Sequence, residues 1–374
     1  MTQPATAKKS VQLSGIVVAE SSVSSIDPDA GVLMYRGYDI ADLAEHSTYE
    51  ETAYLLLHGD LPEPAALEAF TRELARRELP DAVAEAVDRS AQTAAPMDMV
   101  RTAASMLSFG EGAGATDRDS SLAAAKRLIA QIPTVIARHH RRRQGLEPVA
   151  PDPSLSYAEN FLAMLSGERP HERATKIFDI AMILHAEHEM NASTFTARVV
   201  AGTGADLTAA VVAGIAALSG PLHGGANAAA MALFEQWGSA ERTPAAVREL
   251  LEGKAKLFGF GHPLNRAYDP RAMILKRFSE ELSVDGGEPN WFAITDAAER
   301  TVFEEKGLYP NVDLYSASVY RYLGIPTDLF TPVFAASRIA GQSAHVLEQQ
   351  SDNRIIRPSA TYVGESRRSY PAAR

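Results

Sequence analysis

Apolar residues recur at three- and four-residue spacing along most of the chain, and this periodicity is the feature that most constrains the fold. In the segment LEAFTRELARREL, Leu67, Phe70 and Leu74 lie on one stripe with charged residues opposite them. Comparable stretches, most of them punctuated by Pro, Gly or Asp-Pro, occur at residues 121–138, 155–166, 173–190, 207–218, 226–237, 244–257, 312–323 and 331–349. The pattern predicts an all-α protein built from many short helices.

Two short β-prone runs lie near the N-terminus, GIVVAE at 15–20 and GVLMYRG at 31–37, with the turn-rich sequence SSIDPDA between them. They predict a small N-terminal β-hairpin, the only sheet of note. The triplet Arg141–Arg143 is interpreted as a solvated helix end stabilised by the C-terminal dipole, with a phosphate contact as the alternative. Loop-like composition marks residues 111–120, 140–154 and 281–295.

Composition excludes several classes of protein and chemistry. The 374 residues suffice for two domains or for one large domain with an additional segment outside it. A total of 36 Lys and Arg against 47 Asp and Glu gives a net charge of -11, which offers no general attraction to nucleic acid or to an anionic membrane. Because there is no cysteine, disulfides, thiolate metal sites and a Cys nucleophile are excluded. The most apolar run, 209–218, is about half of a membrane span, and the N-terminus lacks a signal-peptide core, so a soluble cytoplasmic protein is expected.

His223 lies in the decapeptide SGPLHGGANA, just before the predicted helix 226–237. The positive end of that helix disfavours the imidazolium, so a neutral ring is expected. A neutral imidazole can donate a hydrogen bond to a ketone or thioester carbonyl and stabilise the enol or enolate. The alternative is a histidine that only caps the helix beside flexible glycines.

A second histidine, His262, lies in the segment GFGHPLNRAYDPR. Gly259 and Gly261 allow the backbone to approach a ligand closely, and Arg266 and Arg271 follow four and nine residues after the histidine. One imidazole with two guanidiniums suits an anion. A structural Gly-rich turn leading into a helix explains the glycines but not the cations.

The segment HAEHEMNASTFTAR places His185 and His188 three residues apart on one face of a predicted helix. That spacing deserves consideration as a metal site, but the HExxH pattern is absent. An isolated His-x-x-His without thiols more often packs or forms hydrogen bonds. His188 is therefore predicted to contact substrate.

Three charged residues interrupt apolar sequence near the C-terminus. Asp313 is the one acid in YPNVDLYSASVYRYLGIP, where it is either an N-terminal helix stabiliser or a base. Arg338 interrupts the apolar FAASRIAG, and Arg357 lies in the tail segment NRIIRPSA. Such cations usually reach water or pair with acids, yet neither stretch offers an adjacent carboxylate on the same helical face.

Taken together and in this order, these motifs closely resemble the citrate synthase family, including its 2-methylcitrate synthase branch. The resemblance is carried by HAEHEMNASTFTAR, GPLHGGAN, GFGHPLNRAYDPR, PNVDLYSASVY, LFTPVFAASRIAG and HVLEQ…NRIIRPSATYVG. Residues 14–62 are also similar to the N-terminal region of that family, so the resemblance spans almost the whole chain. It implies a two-domain helical homodimer, in which residues 225–324 form a small mobile domain that closes over the substrates. Residues 1–224 and 325–374 would form the large domain, with the tail reaching the partner subunit.

The resemblance also implies the site residues. It makes His223, His262 and Asp313 catalytic, and it assigns the oxaloacetate contacts to His188, Arg271, Arg338 and, from the partner subunit, Arg357. It assigns the coenzyme A contacts to Leu257, Gly259, Phe260, Gly261 and Arg266. No metal and no cofactor are implied, since the coenzyme A thioester is a substrate.

The implied reaction condenses acetyl-CoA with oxaloacetate. Asp313 removes a proton from the thioester methyl while His223 donates to its carbonyl oxygen, because a weak carbon acid needs both groups. The enol then attacks the ketone, which His262 polarises while the three arginines hold the two carboxylates. Water finally cleaves the citryl thioester and releases coenzyme A.

Three alternatives stand beside this interpretation: a 2-methylcitrate synthase that uses propionyl-CoA, a metal-dependent hydrolase that uses the two histidines of HAEH, and a non-catalytic dimeric relative. A pocket discriminates one methylene by only about 1–3 kcal/mol, so acetyl and propionyl activities can coexist. Ala228, where many methylcitrate synthases carry a glutamate, favours the citrate branch. The sequence departs from the family pattern at Pro263-Leu264-Asn265 and at Ala340-Gly341-Gln342, and neither change removes a catalytic group.

Overall fold

The computed structural model describes residues 13, 16–109, 114–261 and 267–370. Within these ranges the chain forms sixteen α-helices, a short 3₁₀ turn at Thr327–Leu329 and one small sheet, which confirms the predicted all-α class. The helices in chain order are α1 Ile40–His46, α2 Tyr49–His58, α3 Pro64–Leu74, α4 Asp81–Ser90, α5 Pro96–Met106, α6 Arg118–Arg143, α7 Tyr157–Ser166, α8 Glu172–His185, α9 Ala192–Ala201, α10 Leu207–Leu218, α11 Ala226–Trp237, α12 Thr243–Glu252, α13 Pro270–Ser283, α14 Trp291–Lys306, α15 Val312–Tyr322 and α16 Phe330–Ser351.

The N-terminal sheet contains three antiparallel strands in chain order, β1 Ser24–Asp27, β2 Val32–Tyr35 and β3 Tyr38–Asp39. The second strand lies where the sequence predicted it, but the prediction of the first strand at 15–20 was wrong. Val17 in that run is 87% exposed and has no core to pack against, whereas Val23 and Tyr35 are fully buried. The Asp27 carboxylate accepts hydrogen bonds from two backbone amides of the turn that follows it. This turn brings β1, which directly precedes it, into register with β2.

The longest helix, α6, runs beyond the predicted start of a loop and ends at Arg143. The triplet Arg141–Arg143 forms its last turn, so the predicted helix end is confirmed. These side chains are more than solvated charges: Arg142 pairs with Glu147 (2.7 Å) and Arg143 with Asp328 (2.6 Å). The ion pairs fix the end of α6 to neighbouring loops.

Two other predicted loops are shorter than expected. In the segment 111–120, α6 already begins at Arg118 after the N-cap Asp117, and residues 110–113 lie outside the described ranges. In the segment 281–295, α13 and α14 extend inward and leave only residues 284–290 between them. Helix boundaries are the least certain part of a periodicity argument, because the signal weakens in the last turn.

Helix α16 runs through the core. All of its residues from Phe330 to Leu347 are buried, and it packs against α2, α6, α9 and α10. A helix in such a position is expected to be apolar on every side, yet Arg338, Gln342 and His345 are each at most 1% exposed. Buried polar side chains require partners or a function, so α16 is a candidate source of site residues.

Helices α11 to α15 pack mainly against one another, in the pairs α11 with α15, α12 with α14 and α13 with α15. They contact the rest of the chain chiefly through α13, which touches α1 and α8, and through α11, which touches α16. These helices fall within the predicted small domain, residues 225–324, whose boundaries and mobility stay a prediction. Among the described helices, none combines the length and the apolar character that crossing a bilayer demands.

Candidate active site

The segment that follows α8 is held in a non-helical path by the N-terminal sheet. The Tyr35 hydroxyl donates to the carbonyl oxygen of Glu187 (2.8 Å) and accepts from the amide of the same residue (3.2 Å). The Ser24 hydroxyl donates to the Glu187 carboxylate (3.0 Å) and accepts a backbone amide two residues further on. Helix α8 consequently ends at His185, and the helix predicted to reach residue 190 is wrong in its last turn.

His185 and His188 therefore do not share a helical face, and the geometry behind the metal alternative is wrong. His185 is fully buried, its Nδ1 donates to the carbonyl oxygen of Ala181 (2.7 Å), and burial lowers its pKa to about 3. His188 is also buried, and its carbonyl oxygen accepts from the Asn191 side-chain amide (3.2 Å). The described residues contain no group of three or more His, Asp or Glu side chains placed to hold a metal ion.

His223 lies just before α11, as predicted, and its imidazole rests on the first turn of α9. Nε2 accepts from the Ser193 amide (3.3 Å) and lies 3.0 Å from the Ser193 hydroxyl oxygen. Asn191, the N-cap of α9, places its Oδ1 at 3.2 Å from Nε2 and accepts from the same hydroxyl (2.8 Å). A backbone amide can only donate, so its contact with Nε2 favours the neutral tautomer that carries the proton on Nδ1.

The His223 ring is neutral near pH 7. Burial, followed by the charge of Arg338, lowers its pKa to about 4. The sequence argument reached the same protonation state from the dipole of α11, whereas in the structure burial contributes most. A neutral imidazole with its proton on Nδ1 is a hydrogen-bond donor for a developing oxyanion.

Asp313 lies in the first turn of α15, which begins at residue 312 as predicted, and Asn311 is its N-cap. The Asp313 amide donates to Asn311 Oδ1 (3.0 Å), which fixes the entry of the helix. Burial raises the pKa of the Asp313 carboxyl to about 6, while the charges of Arg271 and Arg338 act in the opposite direction. Such a carboxyl is ionised at neutral pH and more basic than an ordinary aspartate, which suits proton removal.

Arg271 and Arg338 are 3% and 1% exposed, respectively. Arg271 forms a bidentate pair with Asp269, the N-cap of α13, through Nε (3.0 Å) and Nη2 (2.8 Å). Arg338 donates from Nε to the carbonyl oxygen of His185 (2.7 Å). Burial lowers the pKa of Arg338 to about 10, and the charge that most opposes this effect is Glu187. Each buried arginine thus has a nearby carboxylate that the sequence did not reveal.

The ring of Phe334 links several of these groups. The guanidinium carbon of Arg338 lies 4.6 Å from the ring centroid, and the His223 imidazole approaches it edge-on with a centroid distance of 6.1 Å. The charges of Arg271 and Arg338 both act on Asp313, and that of Arg338 acts on the imidazole as well. The structure therefore brings four predicted residues into one cluster: His223, Asp313, Arg271 and Arg338.

The segment around Gly259 and Gly261 is fixed to the start of α15. The Asn311 amide donates to the carbonyl oxygen of Gly259 (3.0 Å), and the Asn311 side chain donates to that of Gly261 (3.0 Å). Gly259 has φ +87°, and a Cβ there would lie 3.1 Å from Leu314 Cδ1. Glycine thus permits the close approach that places this segment beside Asp313.

The other predicted residues differ in what the structure shows of them. Leu257 and Phe260 are half-buried in the same Gly-containing segment. His262 and Arg266 lie outside the described residues. Arg357 is exposed on the extended segment after α16 and forms no hydrogen bond or ion pair with the described residues of the cluster.

Comparison with known proteins identifies the family of the chain. The model of the family described as citrate synthase, C-terminal domain, matches residues 12–359. The chain belongs to the citrate synthase family. A citrate synthase from Haloferax volcanii is 48% identical over 360 residues, which cover 94% of this chain and 95% of that protein. A 2-methylcitrate synthase from Shewanella oneidensis is 43% identical over 358 residues, which cover 95% of each chain.

Solved structures of citrate synthases confirm the fold. The enzyme from Pyrobaculum aerophilum superimposes with a TM-score of 0.87 at 41% identity, covering 96% of this chain and 94% of that one. A ternary complex of carboxymethyl coenzyme A and oxaloacetate with citrate synthase from Thermoplasma acidophilum gives a TM-score of 0.90 at 32% identity, covering 96% and 97%. Membership of the citrate synthase family makes the protein an acyltransferase.

Sequence reasoning missed the residues that support the cluster. Asn191 followed by Ser193 is an N-cap pattern that predicts a helix start. That signal could have identified the first turn of α9, which contacts the His223 ring. Asp269 was read only as the start of a helix, although an acid two residues before an arginine at an N-cap can pair with it. Glu187 gives no local signal, because its partners come from distant parts of the chain.

Proposed function

We propose that this member of the citrate synthase family is a citrate synthase, which condenses acetyl-CoA with oxaloacetate and water to citrate and coenzyme A at the entry of the tricarboxylic acid cycle. The observation that carries the proposal is a neutral imidazole donor and a carboxyl of raised pKa placed beside two buried guanidiniums. The solved complex of a related citrate synthase with carboxymethyl coenzyme A and oxaloacetate supports the two substrates.

Enolisation is the first step. Asp313 accepts a proton from the methyl carbon of acetyl-CoA, and the electron pair of that C–H bond moves toward the thioester carbonyl. His223 donates its Nδ1–H to the carbonyl oxygen, where negative charge develops. The two groups act together because neither a base with a pKa near 6 nor a neutral donor suffices alone for so weak a carbon acid.

Carbon–carbon bond formation follows. The enol carbon attacks the ketone carbon of oxaloacetate, and the ketone oxygen becomes a hydroxyl by taking a proton from His262, the role that the family pattern gives this residue. Arg271 and Arg338 bind the carboxylates of oxaloacetate, since a planar guanidinium matches a carboxylate. Water then adds to the citryl thioester and the C–S bond breaks. One proton of the water returns to His262, the proton held by Asp313 passes to the sulfur so that coenzyme A leaves as the thiol, and the new carboxyl group of citrate ionises.

The proposal extends to assembly. His188 completes the oxaloacetate site, and Arg357 reaches the site of the partner subunit in a homodimer. Residues 257–261 and Arg266 bind coenzyme A, and closure of the domain formed by residues 225–324 excludes water during condensation. These steps use only side chains, the two substrates and water, so the proposed reaction requires neither metal nor cofactor. A cytoplasmic location belongs to the same proposal.

The second candidate function is 2-methylcitrate synthesis from propionyl-CoA. A relative of that name is as similar to the chain as several relatives named citrate synthase. The substrates differ by one methylene, which a pocket discriminates by about 1–3 kcal/mol. Ala228, early in α11, favours the citrate reaction as the first candidate.

The test follows release of free coenzyme A with a thiol-reactive dye after the protein is mixed with oxaloacetate and either acetyl-CoA or propionyl-CoA. Because the chain contains no cysteine, the protein adds no thiol background. A larger kcat/KM with the acetyl thioester is expected. A strong preference for the propionyl thioester would move the assignment to the second candidate, and no release with either thioester from folded protein would contradict both.

A further inference from the structure

Helix α16 is connected residue by residue to the segment that follows α8. Arg338 donates from Nε to the carbonyl oxygen of His185 (2.7 Å). One turn later, the Gly341 amide donates to the carbonyl oxygen of Ala186 (3.2 Å). Residues three and four apart share a helical face, so one face of α16 holds successive residues of the segment that leads to His188.

The next residue on that face, His345, extends the series to a side chain. His345 Nε2 lies 3.0 Å from Glu187 Oε1, and both residues are fully buried. The Ser24 hydroxyl donates to the same carboxylate oxygen (3.0 Å). The Glu187 carboxylate is therefore fixed from two sides, by α16 and by the N-terminal sheet.

The protonation of this pair follows from a third partner. Arg198, which is 4% exposed, donates from Nη1 to His345 Nδ1 (3.1 Å) and to Glu348 Oε2 (2.6 Å). A guanidinium can only donate, so Nδ1 is the acceptor, and Nε2 carries the ring proton that is directed at Glu187. Three hydrogen bonds thus join Glu187, His345, Arg198 and Glu348 in one chain. None of these residues takes part in the proposed chemistry.

The close packing at Glu187 shows how tightly the carboxylate is held. A Cβ on Gly341 would lie 2.2 Å from Glu187 Oε2, so glycine is required where α16 passes the carboxylate. Burial alone would raise the pKa of Glu187, but His345, Arg338 and the Ser24 hydroxyl outweigh it and the pKa is lowered. An ionised carboxylate thus lies beside the buried Arg338, whose charge it stabilises more than any other group.

We propose that Glu187 and His345 form a buried positioning pair that holds Arg338 in place to bind a carboxylate of the substrate. The inference rests on the proposed function only in naming oxaloacetate as that substrate. Both side chains are fully buried, and Glu187 acts on Arg338 through its charge. Their effect on the reaction passes through the guanidinium, whose orientation sets the fit to a planar carboxylate.

The direct test is Glu187→Gln, which keeps the acceptor oxygen for Ser24 and His345 but removes the charge. The affinity for oxaloacetate, measured by calorimetry without thioester, is expected to fall about tenfold or more, because the buried guanidinium loses the carboxylate that most stabilises its charge. The KM for acetyl-CoA is expected to change less than about twofold. Glu50→Gln is the matched control, since Glu50 is also a buried carboxylate, but its carboxylate accepts from the Tyr157 amide.

A second pair of variants separates positioning from folding. His345→Gln places an amide donor near the position of Nε2 and is expected to keep the oxaloacetate affinity within about threefold of wild type. His345→Phe removes the donor and is expected to weaken binding at least as much as Glu187→Gln. Thermal melting of all four variants checks that each is folded.

Three results would overturn the proposal. The first is an unchanged or tighter affinity for oxaloacetate in Glu187→Gln, and the second is an equal rise in the KM values for oxaloacetate and acetyl-CoA in that variant. The third is an equal affinity for oxaloacetate in His345→Gln and His345→Phe. Tighter binding would show that the carboxylate competes with the substrate for Arg338. Calorimetry also separates the two proposals, because a wild-type protein that binds oxaloacetate through this pair but releases no coenzyme A would contradict only the proposed function.

Discussion

Replacing Asp313 by Asn is expected to abolish turnover and at the same time to stabilise the folded protein. The Asp313 carboxyl is held in an environment that disfavours its charge, because burial outweighs the two nearby arginines and raises its pKa from 3.8 to about 6. At neutral pH the group is ionised, so the folded state bears the free-energy cost of a charge that the unfolded state places in water.

The magnitude follows from linkage. A folded pKa near 6 against 3.8 corresponds to about 3 kcal/mol of unfolding free energy lost when both states are ionised. The cost is fully present above pH 6, shrinks between pH 6 and pH 4, and vanishes below the unfolded pKa. For a chain of 374 residues, about 3 kcal/mol corresponds to a rise in Tm of about 4 °C for Asp313→Asn at pH 7.5.

Thermal melting of wild type and variant at pH 7.5 and at pH 4.5, combined with steady-state kinetics, checks both halves of the prediction. The gain in Tm is expected to shrink at the lower pH, and kcat at pH 7.5 is expected to fall at least about 100-fold. Asp42→Asn is a matched control, because Asp42 also lies in the first turn of a helix but is exposed.

Either of two results would refute the reasoning about Asp313. A Tm gain that is absent, or that is the same at both pH values, would show that the carboxylate is not destabilised in the folded state. A kcat within about tenfold of wild type would show that the carboxylate is not the base, whatever its pKa.

Three other outcomes are expected from the same geometry. Wild-type kcat/KM should fall about tenfold for each pH unit well below 6, because only ionised Asp313 accepts a proton, and a pH–rate profile checks this. In steady-state assays His223→Ala should lower kcat at least about 100-fold, the effect of losing one oxyanion donor. Gly341→Ala should lower Tm by several degrees, because its Cβ would lie 2.2 Å from Glu187 Oε2, whereas Gly220→Ala, whose Cβ has no neighbour closer than 3.4 Å, should melt near wild type.

Local signals in the sequence predicted the elements that carry the chemistry. The starts of α11 after His223 and of α15 before Asp313 were both predicted, because the signals that begin a helix act over only a few residues. The family resemblance, and not these signals, assigned roles to the residues. The structure then brought Asp313, Arg271 and Arg338 together from three helices with His223 from the turn before α11.

Long-range contacts explain what sequence reasoning missed. The end of α8 at His185 depends on Tyr35, about 150 residues earlier, whose hydroxyl binds the backbone of Glu187. The periodicity of the segment gives no sign of that contact, so a helix through residue 190 was the natural expectation. The position of β1 was missed for a similar reason, since burial of Val23 against the core, rather than β-propensity, decided which residues formed the strand.

The charges of the site explain why its counter-ions are as important as its catalytic groups. The guanidiniums of Arg271 and Arg338 lie in the core, where burial disfavours their charges. Without compensation, these charges would lower the pKa of Asp313 and remove its basicity. Asp269 neutralises much of Arg271 and Glu187 stabilises Arg338, so burial can prevail at Asp313 and hold its pKa near 6. Under the proposed function, a bound dicarboxylate would add negative charge to the same cluster and raise that pKa further. Substrate binding would thereby strengthen the base, which gives a physical reason for oxaloacetate to bind before the thioester is enolised.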